Sequence, residues 1–321
     1  MAAPFAVAAD PLLADLVAAA VLAPSSHNTQ PWRFRVTGER LELWADRRRR
    51  LPVNDPDDRE LTISCGAALL NARVAARHAG RELAVTLLPD AGEPDLLARA
   101  TLGREIAAGV EPLRAAIADR RTHRARFLDE PVDAGIVRRL EDAAATEGAW
   151  LEVLDEDRRG RLAELVAAGD QHQFADARWR RELASWMHPR RAGDGLVFPG
   201  AVVPVTRFVI RHLDVGSGTA GRDAKLAAGS PVLALLATHR DDPRSWLRAG
   251  QALQRLLLTA AASGLQASFL NQPVQVADLR PQACALLDTQ GVAHLVLRLG
   301  RPAKRLAPAP RRPVHDVLQE D

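Results

Sequence analysis

The chain has 321 residues, 47% of them hydrophobic and 26% charged, with a formal net charge of +3. That length supports a real core, the mix is ordinary for a globular protein, and the charge is too small to argue for nucleic acid. Cys65 and Cys284 make no CxxC pair or disulfide framework, and no run approaches the ~18 apolar residues of a membrane span. The apolar N-terminal stretch carries Asp10 and Asp15 and lacks the basic segment of a secretory leader. The expectation is a cytoplasmic protein with no membrane or nucleic-acid partner.

Residues 12–22 read as a short helix ending before Pro24. A polar loop follows: Pro24, Ser25, Ser26, His27, Asn28, Thr29 and Gln30, closed by Pro31 and Trp32. The prolines hold its ends extended, and the six side chains between them can all donate or accept hydrogen bonds. Such a loop suits a polyoxygenated or heteroaromatic ligand, or a solvated turn. Residues 32–36 and 40–44 read as strands joined at a turn through Gly38. The basic run at 46–50 reads as a solvated face. Residues 61–79 form a long helix stopped by Gly80, and 83–88 a buried strand.

From Pro112 the pattern restarts. Residues 113–120 are helical and lead into Arg120, Arg121, Thr122, His123 and Arg124. Alternation puts Arg120, Thr122 and Arg124 on one side, where two guanidiniums and a hydroxyl would suit a phosphate. Residues 137–145 read as a helix, 150–154 as a strand, and 158–168 and 176–187 as helices. Residues 189–204, rich in Gly, Pro and Arg, read as an irregular loop, and 207–212 and 232–238 as strands. Gly216, Gly218 and Gly221 spell GxGxxG. Only about two helical turns follow before Gly229 and Pro231, too few for a dinucleotide-binding crossover. Residues 246–263 form a second long helix stopped by Gly264; 267–271 and 292–299 supply the last strands before a Pro/Arg-rich tail.

The two long helices match. Gly66-Ala67-Ala68-Leu69 with Gly80 aligns with Gly250-Gln251-Ala252-Leu253 with Gly264 at one constant offset, and a strand follows each. The chain therefore reads as two copies of one unit. The second copy is longer between its earlier helix–strand segment and its long helix, which places an insertion at roughly 155–204.

The Pro-Ser-Ser-x-Asn-x-Gln-Pro-Trp loop resembles the flavin-contacting loop of the nitroreductase family, and its His-Asn-Thr-Gln-Pro-Trp form resembles the actinobacterial Acg-type branch. The run at 120–124 is similar to the family's Arg-x-Ser/Thr-x-Arg/Lys flavin-phosphate motif. The resemblance implies an α+β nitroreductase-like fold, with halves at 1–111 and 112–321 forming a pseudo-dimer within one chain. The first half keeps the loop (23–32) and the second the arginine motif (120–124), which implies one FMN site completed by a monomer. By the same resemblance, Ser268, Leu270 and Asn271 lie where the family presents backbone to the flavin ring, though the family often has an acid at the position of Asn271. Arg311 and Arg312 resemble its second phosphate-reaching segment. The implied function is an FMN oxidoreductase passing electrons from NADH or NADPH to a small-molecule acceptor, the chemistry residing in the flavin and in no catalytic side chain. The alternative is a flavin-holding protein with little turnover, residues 190–199 of the insertion covering the flavin. No metal site is expected.

Overall fold

The computed structural model describes residues 10–107, 112–189, 193–198, 203–212 and 216–319. Helix α1 (Pro11–Ala20) opens on Asp10, whose carboxylate accepts from Leu12 N at 2.8 Å, with proline in its first turn. Strands β1 (Trp32–Thr37) and β2 (Arg40–Ala45) form the expected hairpin around Gly38, whose φ is 58°. Helix α2 (Arg59–His78), β3 (Arg81–Leu87) and β4 (Leu96–Glu105) complete a four-stranded antiparallel sheet in the order β1-β2-β4-β3.

After α3 (Pro112–Asp119), the unit recurs. Helix α4 (Ala134–Thr146) precedes β5 (Trp150–Val153), and β5 is followed by α5 (Glu156–Ala175), α6 (Ala177–Ser185), β6 (Met187–Pro189), β7 (Leu196–Phe198), α7 (Val203–His212) and α8 (Gly216–Ala228). Then come β8 (Val232–Thr238), α9 (Pro243–Ala262), β9 (Gln266–Phe269), the short α10 (Gln272–Gln275) and α11 (Arg280–Cys284), β10 (Val292–Gly300) and, in the tail, α12 (Val314–Val317). The second sheet runs β5-β8-β10-β9, also antiparallel. Strand for strand this is the topology of the first sheet, with α4 in the place of α1 and α9 in the place of α2. The fold is α+β with two similar halves in one chain. Where the first half turns through Gly38, the second carries α5 to α8, so the inserted helices reach beyond residue 204.

The halves meet where α2 crosses α9. A Cβ on Gly66 would lie 2.3 Å from the Leu247 carbonyl oxygen, and one on Gly250 would lie 2.0 Å from that of Ile63. Ile63 and Leu247 each precede their glycine by three residues, so the contact is reciprocal, as in a two-fold interface. Only glycine permits this approach. Around it, Gln254 Nε2 donates to Asn71 Oδ1 at 2.7 Å and Arg73 donates to Gln251 Oε1 at 2.7 Å.

The sheets differ in cover. β8 is buried along its whole length, between α4 and α9 on one face and α5, α8 and α10 on the other. The insertion supplies part of the cover of Leu233, Leu235 and Val296, together with α10 and the segment around Ala283 and Leu286; fully burying such a side chain is worth about 1.5–3 kcal/mol. The outer face of the first sheet is instead polar: Arg99 donates to Glu42 at 2.9 Å, and the Arg35 guanidinium lies 5.2 Å from the Trp44 ring centre.

Several expectations are corrected. β3 alternates half-buried and exposed residues because it is a sheet edge, and is not a buried strand. β4, which pairs with both β2 and β3, was not anticipated. Residues 207–212 belong to α7, a helix. Part of 189–204 is ordered as β7, paired in parallel with β6; residues 190–192 and 199–202 lie outside the described residues. The GxGxxG glycines, already set aside as a dinucleotide motif, sit inside α8, and the described element before it is α7 and not a strand.

Candidate functional site

The polar loop leaves α1 and folds back beneath the tail. His27, Asn28 and Gln30 all adopt left-handed backbone, with φ of 49°, 56° and 52°. Each such residue costs about 1–3 kcal/mol unless its surroundings hold it. Ser25 Oγ accepts from Gln30 N at 2.9 Å. Gln30 Nε2 donates to Gly193 O at 2.8 Å and its Oε1 accepts from Arg312 N at 2.9 Å. Asn28 Nδ2 donates to the carbonyls of Gly195 and Pro310 at 3.3 and 3.2 Å, and its Oδ1 accepts from Arg311 at 3.1 Å. The amides of Asn28 and Gln30 are thus committed to protein groups, in the tail and in the insertion.

The arginine motif runs alongside β9. Thr122 bridges Ala267 in parallel, and His123 N donates to Ala267 O at 2.8 Å, which brings the motif beside Ser268. Arg120 is buried, and its Nε and Nη1 have no hydrogen-bond partner among the described residues. Burial, then the like charges of Arg311 and Arg121, lowers its pKa to about 9. Arg311 donates to the Leu22 and Ala23 carbonyls just after α1, at 3.2 and 3.1 Å, but its Nε has no partner; burial and Arg121 lower its pKa to about 10. Arg121 is spent on the carbonyls of Ala118, Arg120 and Leu306. Arg312 reaches the Gln30 and Asp316 carbonyls. Arg124 remains open to solvent although the protein around it lowers its pKa. His27 stands close enough for Arg124 to help burial lower its imidazole to about 4, and its Nδ1 has no partner. His27 is therefore neutral at neutral pH.

Buried cations with unused N–H groups are costly alone. Arg120 and Arg311 fit a bound anion with several acceptor oxygens, as the chemistry of a phosphate requires.

The third wall is the turn after β9. Ser268 is buried and lies opposite Arg298 in the β9–β10 register. Leu270 N donates to Val296 O at 3.1 Å. Asn271 Oδ1 accepts from Val296 N at 3.0 Å, and its Nδ2 donates to Glu60 at 3.3 Å, so its side chain is committed. The sequence reading did not single out Glu60, Arg59 or Arg298. Arg59 and Glu60 open α2, and Asp55 accepts from Glu60 N and Leu61 N at 3.0 and 2.9 Å. Arg59 donates to the carbonyls of His294 and Val274 in the second half, at 2.8 and 2.9 Å. Arg298 donates to the His123 and Ala125 carbonyls at 3.2 and 3.1 Å, and its guanidinium lies 5.0 Å from the Phe127 ring centre; its Nε and Nη1 have no partner. A charged pair opening an otherwise apolar helix was the available signal for Arg59 and Glu60.

The insertion is clamped onto the first half beside the loop. Arg49 donates to Thr29 O at 2.5 Å, pairs with Asp194, and lies 5.3 Å from the Trp186 ring centre. Glu182 accepts from Val53 N and Asn54 N at 2.9 and 2.8 Å, and Trp179 donates to Asn54 at 2.9 Å. A cleft of about 480 Å³ opens at this seam, lined by Arg48, Arg50, Glu182 and Trp186 among others; none of the residues expected at the flavin lines it. Among the described residues no helix is long and apolar enough to cross a membrane.

No family model matches the chain. It is 33% identical over 320 residues to a Mycobacterium tuberculosis protein provisionally named NAD(P)H nitroreductase Rv3131, covering 94% of this chain and 89% of the relative. A second M. tuberculosis protein, provisionally named NAD(P)H nitroreductase acg, is 27% identical over 315 residues, covering 96% and 95%. Among solved structures, the FMN-dependent nitroreductase NfnB from Mycobacterium smegmatis, in complex with NADPH, is 18% identical with a TM-score of 0.45, over 66% of this chain and 98% of that one. The similarity extends over more than nine tenths of this chain, and on it the chain belongs to the NAD(P)H nitroreductase family.

Proposed function

We propose that this protein binds one FMN per chain and passes electrons from NADH or NADPH through it to a small acceptor, the monomer completing its own site. The observation that carries the reading is the pair of buried arginines, Arg120 and Arg311, with N–H groups left over among the described residues, Arg311 being bonded to Asn28 of the strained polar loop contributed by the other half. Arg120, Arg124 and Arg311 would hold the phosphate. Ser25, Ser26 and the backbone at Leu270 and Asn271 would orient the ring. When bound, FMN supplies the two-electron redox chemistry. The chain contributes a neutral His27 and a largely enclosed polar surround, and no side chain need act as acid or base. The test is the absorbance of the purified protein and the flavin it releases on denaturation. One FMN per chain is expected; none after reconstitution, or two, overturns the reading.

A second reading, a flavin holder with little turnover, is favoured by the clamp of Gly193, Asp194 and Gly195 on Gln30, Arg49 and Asn28. A nicotinamide must reach about 3–3.5 Å from its reaction partner. Under this reading NAD(P)H reduces the intact protein slowly while dithionite reduces it fully. Replacing residues 193–198 by a Gly/Ser linker raises the NAD(P)H rate. Rapid reduction of the intact protein removes the holder reading.

A further inference from the structure

Glu60 is among the most enclosed carboxylates in the molecule, 2% exposed, and it gathers donors from both halves. Ser26 Oγ donates to its Oε2 at 2.5 Å; Asn271 Nδ2 and Gln275 Nε2 donate to its Oε1 at 3.3 and 2.8 Å. The chain of bonds continues into the insertion, where Gln173 Nε2 donates to Gln275 Oε1 at 2.8 Å. An ionised carboxylate can only accept. It therefore dictates the sense of every bond around it. Gln275 must turn its NH₂ to Glu60 and its oxygen to Gln173, which must answer with its own NH₂. Ser26 has its one proton committed and keeps only lone pairs for a ligand. Asn271 has one amide N–H committed to Glu60 and its oxygen to Val296 N, which fixes the orientation of its amide.

We propose that Glu60 is the positioning residue of the flavin site: one buried negative charge fixes the donor–acceptor sense of Ser26, Asn271, Gln275 and Gln173. Arg59 lies 3.9 Å from Glu60 and offsets part of this charge; the remainder acts where the loop, the turn after β9 and the insertion converge. The inference rests on the flavin reading above and goes beyond it by naming what tunes the site. A buried negative charge opposes the negative charge that reduction adds, so Glu60 holds the potential of bound FMN down.

The test uses the full chain loaded with FMN. Glu60→Gln keeps the shape and removes the charge, and its amide can donate to Ser26, whose proton is released toward the ligand. The midpoint potential of bound FMN should rise, with FMN affinity, read by fluorescence quenching, weakened severalfold. Gln275→Leu leaves the carboxylate and removes one donor that offsets it, so the potential should fall; this variant carries the test if Glu60→Gln fails to fold. A purely structural Glu60 would alter thermal stability and leave both potentials at the parent value, which overturns the proposal while the FMN reading stands. A parent protein that takes up no FMN overturns both.

Discussion

At the scale of single residues, what matters is which polar groups the fold leaves without partners. Arg124 reaches solvent beside neutral His27, with no carboxylate among the main influences on its charge. Arg124→Ala should weaken FMN binding by about 1.5–3 kcal/mol, the range for hydrogen bonds to a charged group; titration of the apoprotein with FMN checks it, and unchanged affinity would move the phosphate elsewhere. Asp170, on α5, makes a separate case. Burial first, and Asp223 further, raise its pKa to about 7, against a 2.9 Å hydrogen bond from Gln272. The folded state thus holds the proton that the unfolded chain has already released, so Asp170 favours the fold at low pH and opposes it as pH climbs from about 4 through 7. Asp170→Asn keeps the acceptor for Gln272 and removes the charge. Its melting temperature should gain on the parent's between about pH 5 and pH 8, by differential scanning fluorimetry; a constant difference would mean that Asp170 ionises freely in the fold.

Among the elements, the two long helices decide the architecture. Alanine normally improves a helix interior by about 1 kcal/mol over glycine. At Gly250 the added methyl would meet the Ile63 carbonyl at 2.0 Å, so overpacking at about 1–3 kcal/mol should win. Gly250→Ala is expected to lower the urea midpoint, and Gly66→Ala to do the same by symmetry. The helices were legible in sequence because their periodicity, caps and terminal glycines are local signals: Gly80 and Gly264 hold φ of 73° and 74° just past each helix end. β4 was not, because its Arg99 and Arg104 look like loop residues until β2 and β3 flank it. The helix at 203–212 has a strand-like run of β-branched residues, and tertiary context overrides that weak propensity. The site divides the same way. Arg120 and Arg124, proposed for the phosphate, stand in a short motif, whereas Glu60 and Arg298 gain meaning from partners distant in sequence, Ser26 and Gln275 for the one and His123 for the other.

On the scale of the whole molecule, two sheets of one topology have been treated differently: the second has its outer face covered by helices of the insertion, the first is left with a charged outer face. The crossing of α2 and α9 joins them within a single polypeptide. In an association of separate chains such a contact would be governed by mass action, and its melting point would climb with protein concentration. Here the partners are tethered, so the crossing is unimolecular and indifferent to dilution. The melting temperature should be the same at nanomolar and micromolar protein. A single cut in the link between β4 and α3 should make the melting temperature depend on protein concentration.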